Sequence, residues 1–240
     1  MKPLTAPARG HDGALLALLV LAFILLRLLI ASSTVISFDD EDGFNITAAW
    51  EMLKPASTLT YPMFQMSDAE GGSLITALLL VPLVLLLGPS LFALHLVGLL
   101  YSTAALLGLY LVCRRAFSAA VARLACLLYI FFPGPLLHYS VTAHGFHPDS
   151  VTFQLFFIWL LLLALERGRP ALTFMAGLLG GACTYFAYIS ALTVLPFAAI
   201  FSLQMVRRRG IWRGLMPVGV LVAGLAVGVL PLVIYNLLNN

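Results

Sequence analysis

Apolar residues occur in long blocks separated by short polar breaks, at 14–36, 74–87, 91–112, 120–137, 150–165, 171–206 and 214–235. A helix that crosses a bilayer needs about 20 mainly apolar residues, so most of these blocks have the length of one crossing. The block 171–206, at 36 residues, has room for two short crossings that turn near Tyr185 to Ser190. The block 74–87 has only 14 residues and contains Pro82, a length that predicts a re-entrant or interfacial helix. Taken together, the pattern predicts an all-α, polytopic membrane helix bundle with about seven transmembrane helices plus this short one.

The position of charge selects the topology. If 74–87 does not cross, the N-terminus is cytoplasmic and Arg114, Arg115, Arg123, Arg167, Arg169, Arg207, Arg208, Arg209 and Arg213 all fall on the cytoplasmic side. Counting Lys2 and Arg9, 11 of the 13 basic residues then lie inside, as the positive-inside rule requires. If the segment crossed, the nine arginines would move outside. The seven-span topology is therefore expected, with the C-terminus outside. Asp39, Asp40, Glu41, Asp42, Glu51, Asp68, Glu70 and Asp149 then face outward, leaving Asp12 and Glu166 inside. Acids contribute little to the topology rule, so function is a candidate cause of this asymmetry.

Composition narrows the class further. A chain that is 62% hydrophobic and 10% charged, with a mean hydropathy of +1.04, is not a soluble globular enzyme. Residues 1–240 are read as a single transmembrane domain with a first outer loop, 37–73, and a second, 138–149. The net charge of +3 comes from basic residues spread along the chain rather than from one basic face, which argues against a nucleic-acid partner. Cys113, Cys126 and Cys183 fall inside apolar runs and are expected to be small core residues. Lys2 and Arg9 precede an apolar run of 23 residues. Such a run exceeds the apolar core of a secretory signal, about 7–15 residues, so a retained signal anchor is expected.

The candidate chemistry lies in the outer loops. Asp39, Asp40, Glu41 and Asp42 follow one another just where the first span ends. Like charges this close favour retention of a proton among them, which suits one of them to act as a general base. Apolar positions 44, 48, 52 and 53 fit one face of a short helix, with Asp42 and Gly43 where an N-cap would sit. Acids at a helix N-terminus also favour the macrodipole, and the residues alone leave both readings open. In the second outer loop, His138, His144 and His147 with Asp149 are of the types that bind zinc or manganese. Their spacing matches no strong motif, and interfacial aromatics with polar loop groups are the alternative. Asn45, Ile46 and Thr47 form a glycosylation acceptor by pattern, and such triplets also arise often by chance.

An N-terminal signal anchor, an outer loop opening on an acidic pair, a helix ending in Glu51, Met52 and Leu53, a short apolar helix, and then paired membrane helices together resemble the GT-C glycosyltransferases that use lipid-linked sugars. These include the aminoarabinose transferases of lipid A and the protein O-mannosyltransferases. The resemblance covers almost all of this chain and about the first half of a usual member, so a GT-C-like N-terminal module is implied. Matched without gaps on Glu51, Met52 and Leu53, the family's acidic pair falls on Glu41 and Asp42 in reversed order. A shift of one residue places it on Asp40 and Glu41. The implied role is the base that deprotonates or orients the acceptor hydroxyl, and Glu41 belongs to both alignments. Asp149 occupies the place of a family acid at the start of a later helix, where it would assist the base or bind sugar. Its alternative is an ordinary helix N-terminal acid.

The resemblance implies transfer of a sugar from a polyprenyl-phosphate donor to a hydroxyl on a lipid, glycan or protein at the outer face of a membrane, a bacterial inner membrane by analogy. Membrane lipid would be a further partner. His144 and His147 are candidate sugar or phosphate contacts, and Lys54 a candidate for an anionic head group, although an exposed surface lysine is the plainer reading. A divalent cation is a possible cofactor. Two departures stand against the match: the stretch Cys183 to Ser190 lacks the basic residue usual after the Gly-rich helix, and the later helices of the family do not follow. A shortened, non-catalytic relative acting as a binding or assembly subunit is thus the rival. Transport is disfavoured, because only Arg27 and His95 are ionisable within the spans. Arg27, about 20 Å below Asp40 along a straight helix, is expected to pack against another span.

Overall fold

A computed structural model of the chain describes residues 10–32, 40–54, 65, 70–131, 134–145 and 147–239. The described residues form ten α-helices: α1 (Gly10–Ala31), α2 (Asp40–Met52), α3 (Gly72–Leu87), α4 (Leu91–Ala116), α5 (Ala119–Ile130), α6 (Gly134–Tyr139), α7 (His147–Arg167), α8 (Pro170–Phe186), α9 (Ala191–Arg209) and α10 (Ile211–Asn239). A 3-10 turn, Tyr188–Ser190, joins α8 to α9. The protein is an all-α membrane helix bundle. Five segments are long and apolar enough to cross a bilayer: Asp12–Ala31, Leu91–Ala116, Pro148–Arg167, Tyr188–Arg209 and Ile211–Leu238. The apolar helices α3, α5 and α8 are shorter.

The apolar blocks map onto these helices with two differences. The 171–206 block divides at the expected place, and 74–87 forms the short α3 around Pro82. The block 120–137 is not one helix: α5 stops at Ile130 and α6 begins at Gly134. Pro133 and Pro135 account for the break, since a proline lacks the helix N–H and restricts the residue before it. The outer-loop helix starts at Asp40, earlier than the expected cap at Asp42 and Gly43, so Asp40, Glu41 and Asp42 occupy its first turn, where the macrodipole favours carboxylates.

The chain divides into two compact units: Met1–Leu59 with Thr76–His144, and Thr60–Ile75 with Gly145–Asn240. In the first, Leu19, Phe23, Leu106, Tyr110, Ala122, Cys126 and Ile130 form the core. Along α1, Leu19, Phe23 and Arg27 recur every fourth residue on the buried face, while Leu18, Leu21, Leu25 and Leu29 stay more than half exposed on the other. A helix apolar all round, with one such exposed face, suits contact with lipid. Asp12 at the start of α1 pairs with Arg114 at the end of α4 (3.9 Å) and with Arg123 in α5 (3.8 Å). These basic residues therefore share one end of the unit.

In the second unit, Phe157, Leu161, Ala176, Cys183, Phe201, Met205 and Leu221 form the core. Helices α8 and α10 meet backbone to backbone along Gly177 and Gly181 of one and Gly224 and Gly228 of the other. A Cβ on Gly181 would lie 2.2 Å from the Leu225 carbonyl oxygen, and one on Gly224 would lie 2.4 Å from that of Phe174. Small residues four apart allow this approach between membrane helices. Cys126 and Cys183 are buried, as expected of core residues, and Cys113 is half-buried.

Candidate active site around Glu41 and His144

The site is assembled from α2 and the segment following α6. Asn45 is fully buried, and its Nδ2 donates to the carbonyl oxygens of Ala143 (3.0 Å) and His144 (3.2 Å). Glu41 lies one turn earlier on the same helix face. Its Oε2 stands 3.3 Å from His144 Nδ1. From the other side, Ser102 Oγ on α4 donates to the Ser140 carbonyl (2.7 Å), and the backbone at Val141 and Thr142 lies directly on Gly98, where a Cβ would be 2.5 Å from the Thr142 oxygen. The segment 140–144 is thus fixed to α4 by a glycine and a serine, and to α2 by an asparagine.

The Thr142 hydroxyl donates to the His138 carbonyl oxygen (3.2 Å), and Thr142 Oγ1 lies 2.8 Å from His144 Nε2, so the His144 ring faces Thr142 with one nitrogen and Glu41 with the other. Tyr139 lies edge-on to the His144 ring with centroids 5.4 Å apart, and the His138 ring is 6.0 Å away.

The neighbouring acids differ sharply in access. Adjacent positions on an α-helix point about 100° apart, and here Asp42 is 1% exposed whereas the Glu41 side chain is 39% exposed. Asp40 is exposed at the first position of the helix. Lys54, just past the far end of α2, forms an ion pair with Glu51 and does not join Glu41, which is about 20 Å away along the helix. Asp149, 3% exposed in the second unit, accepts the backbone N–H of Gly145 at 2.9 Å; it reaches back over its own helix start in the manner of a capping carboxylate. His147 is the first residue of α7, and its side chain lies outside the described residues.

No group of three or more His, Cys, Asp or Glu side chains comes together among the described residues. Both nitrogens of His144 are already engaged, by Thr142 and Glu41, so these residues do not fit a divalent cation held beside Glu41. The stretch that lacks the usual basic residue serves packing: Tyr185 donates its hydroxyl to Gln65 Oε1 (3.2 Å), and its carbonyl accepts the Gly71 N–H (2.7 Å). Arg27 is fully buried, as expected, donating to the Ile130 carbonyl on α5 (3.1 Å) with its guanidinium 4.6 Å from the Phe23 ring centroid. The Asn45 amide nitrogen is held by two carbonyls inside the fold. Asn45, Thr142, Ser102 and Gly98 were not selected from the sequence, and only Asn45 carried a signal, its place four residues after Glu41 on a helix.

A family model described as dolichyl-phosphate-mannose-protein mannosyltransferase matches residues 73–235. No curated protein and no solved structure matches the chain. The matched stretch runs from α3 to α10 and includes His138, His144 and Asp149; α2, with Glu41 and Asn45, precedes it. The family match spans well over half of the chain, and with the all-helical membrane architecture it establishes that this chain belongs to the dolichyl-phosphate-mannose-protein mannosyltransferase family of GT-C membrane glycosyltransferases.

Proposed function

We propose that the chain transfers a sugar from a polyprenyl-phosphate donor to a hydroxyl acceptor at the outer face of the membrane, with Glu41 as the general base. The observation that carries this reading is the contact between the accessible Glu41 carboxylate and buried His144, on a segment fixed from two sides. In the reaction, the acceptor hydroxyl gives its proton to Glu41 as its oxygen bonds to the anomeric carbon. The bond from that carbon to the phosphate oxygen breaks, and polyprenyl phosphate leaves. His144 keeps the carboxylate directed and Asn45 keeps His144 in place; positioning of this kind is a large part of what a general-base site supplies. Asp149 and Lys54 act structurally in this reading, and His147 lies next to the site in sequence. With the arginine-rich ends placed in the cytoplasm by the positive-inside rule, α2 is on the outer side.

The test is transfer of labelled sugar from a pool of polyprenyl-phosphate donors by membranes containing the chain, compared with Glu41→Gln. Loss of transfer in a normally inserted variant supports the assignment. Transfer that survives the substitution removes Glu41 as the base. If the unsubstituted chain transfers nothing from verified donors, the non-catalytic binding or assembly role becomes the better reading.

A further inference from the structure

The second unit carries a feature that the transfer reaction does not use. Where α7 and α9 end and α8 and α10 begin, Ala164, Thr173, Met205, Arg209, Met216 and Val220 line a shallow, open recess of about 30 Å³. Its inner surface is apolar, with Ala164 and Met205 buried. Thr173 is buried as well and directs its hydroxyl to the Arg169 carbonyl. The guanidinium of Arg209 is seated over the Gly168 turn, where a Cβ would come within 2.7 Å of Nη2.

Charge around the recess has one sign. From residue 150 to the end, the chain has six arginines, at 167, 169, 207, 208, 209 and 213, and one carboxylate, Glu166. All six lie at this end of the unit, and all are exposed. Arg208 is held locally, donating to the Leu165 carbonyl and to Gln204. Arg209 closes a segment long and apolar enough to cross a bilayer, Tyr188–Arg209, which puts its guanidinium at head-group depth. A cation at that depth above an apolar wall matches an amphiphile with an anionic head and a hydrocarbon tail. A free anion would use the charge and leave Met216 and Val220 without a role.

We propose that this recess binds an anionic phospholipid, with the phosphodiester on Arg209 and an acyl chain against Met216 and Val220. The site is separate from the proposed transfer chemistry, and its test reads binding alone. The full chain, purified in mild detergent, is incubated with phosphatidylglycerol, with phosphatidylcholine or with inorganic phosphate, and bound lipid is read by native mass spectrometry alongside thermal unfolding. Phosphatidylglycerol is expected to be retained and to raise the unfolding temperature. Arg209→Gln is expected to lower its retention about tenfold, the effect of losing one hydrogen bond to a charged group, while Arg213→Gln, outside the recess, leaves retention within about twofold. Should Arg209→Gln fold poorly, Met216→Trp, at an exposed position, fills the recess without altering charge and is expected to displace the lipid. Equal losses in the two arginine variants, equal retention of phosphatidylcholine, full competition by inorganic phosphate, or undiminished binding by Met216→Trp would each overturn the proposal.

Discussion

Glu41 Oε2 and His144 Nδ1 lie 3.3 Å apart, although the two residues are 103 positions apart along the chain. This contact distinguishes Glu41 from the other acids of the cluster. Replacing Glu41 with Gln is expected to lower the transfer rate about 10²- to 10⁴-fold, the usual range for loss of a general base. Asp42→Asn is expected to act mainly on folding, since that side chain is 1% exposed and an acceptor cannot reach it. Transfer normalised to folded protein separates the two. Equal loss per folded molecule in both variants would contradict the assignment of Glu41.

His144→Gln is expected to keep the Thr142 contact through the side-chain amide while removing the ring nitrogen that faces Glu41. The maximal rate should then fall while the apparent KM for the donor changes little, because the lost interaction belongs to the base and not to substrate binding. A rise in KM at unchanged maximal rate would place His144 on the donor instead.

Asn45→Ala removes two hydrogen bonds to the Ala143 and His144 carbonyls, each contributing about 0.5–1.5 kcal/mol. The expected result is faster amide hydrogen exchange confined to the vicinity of residues 141–145 and the first turns of α2.

Much of the fold could be read in the sequence because it follows from long-range rules that need no partner. Apolar length defined the helices, and the placement of arginines anticipated that Arg114 and Arg123 meet at one end, where both pair with Asp12. The break between α5 and α6 was missed because an unbroken apolar count hides what Pro133 and Pro135 do to the backbone. The site was only half legible for a different reason. A row of four acids announces itself, but whether Glu41 or Asp42 points outward depends on where α2 begins, and a two-residue change in the start rotates the face by about 200°. Asn45, Gly98 and Ser102 act through the backbone of a distant loop, and residues of these types are common enough in membrane helices that their spacing carries no signal of such a contact.

Gly224→Leu is expected to separate α8 from α10, since a Cβ there already meets the Phe174 carbonyl oxygen at 2.4 Å. Overpacking of this kind costs about 1–3 kcal/mol or more, which should lower the unfolding temperature of the detergent-solubilised chain. Gly219→Leu on the same helix is the control, because nothing lies within 4 Å of its Cβ position. Similar destabilisation by both substitutions would mean that loss of glycine itself, not the α8–α10 contact, is responsible.

Arg27 poses a question that magnitudes decide. It is fully buried, it bonds to the carbonyl of the last residue of α5, and it lies over Phe23, while its Nε and Nη1 have no partner among the described residues. Placing an arginine at the centre of a membrane helix costs about 2.5–3.5 kcal/mol on insertion scales. A hydrogen bond from a charged group returns about 1.5–3 kcal/mol, and a desolvated cation–π contact about 2 kcal/mol. The balance is close to zero, so Arg27→Met, which retains a long side chain against Phe23, is expected to change stability by no more than about 1 kcal/mol. Phe23→Ala leaves the cation without its ring and opens a cavity in the α1–α5 core, for which about 3–5 kcal/mol is the usual cost. Thermal unfolding of the two variants in the same detergent measures the difference. If Arg27→Met proves the more damaging, the guanidinium holds α1 to α5 far more strongly than one carbonyl and one ring account for, and a further partner must contact Nε and Nη1.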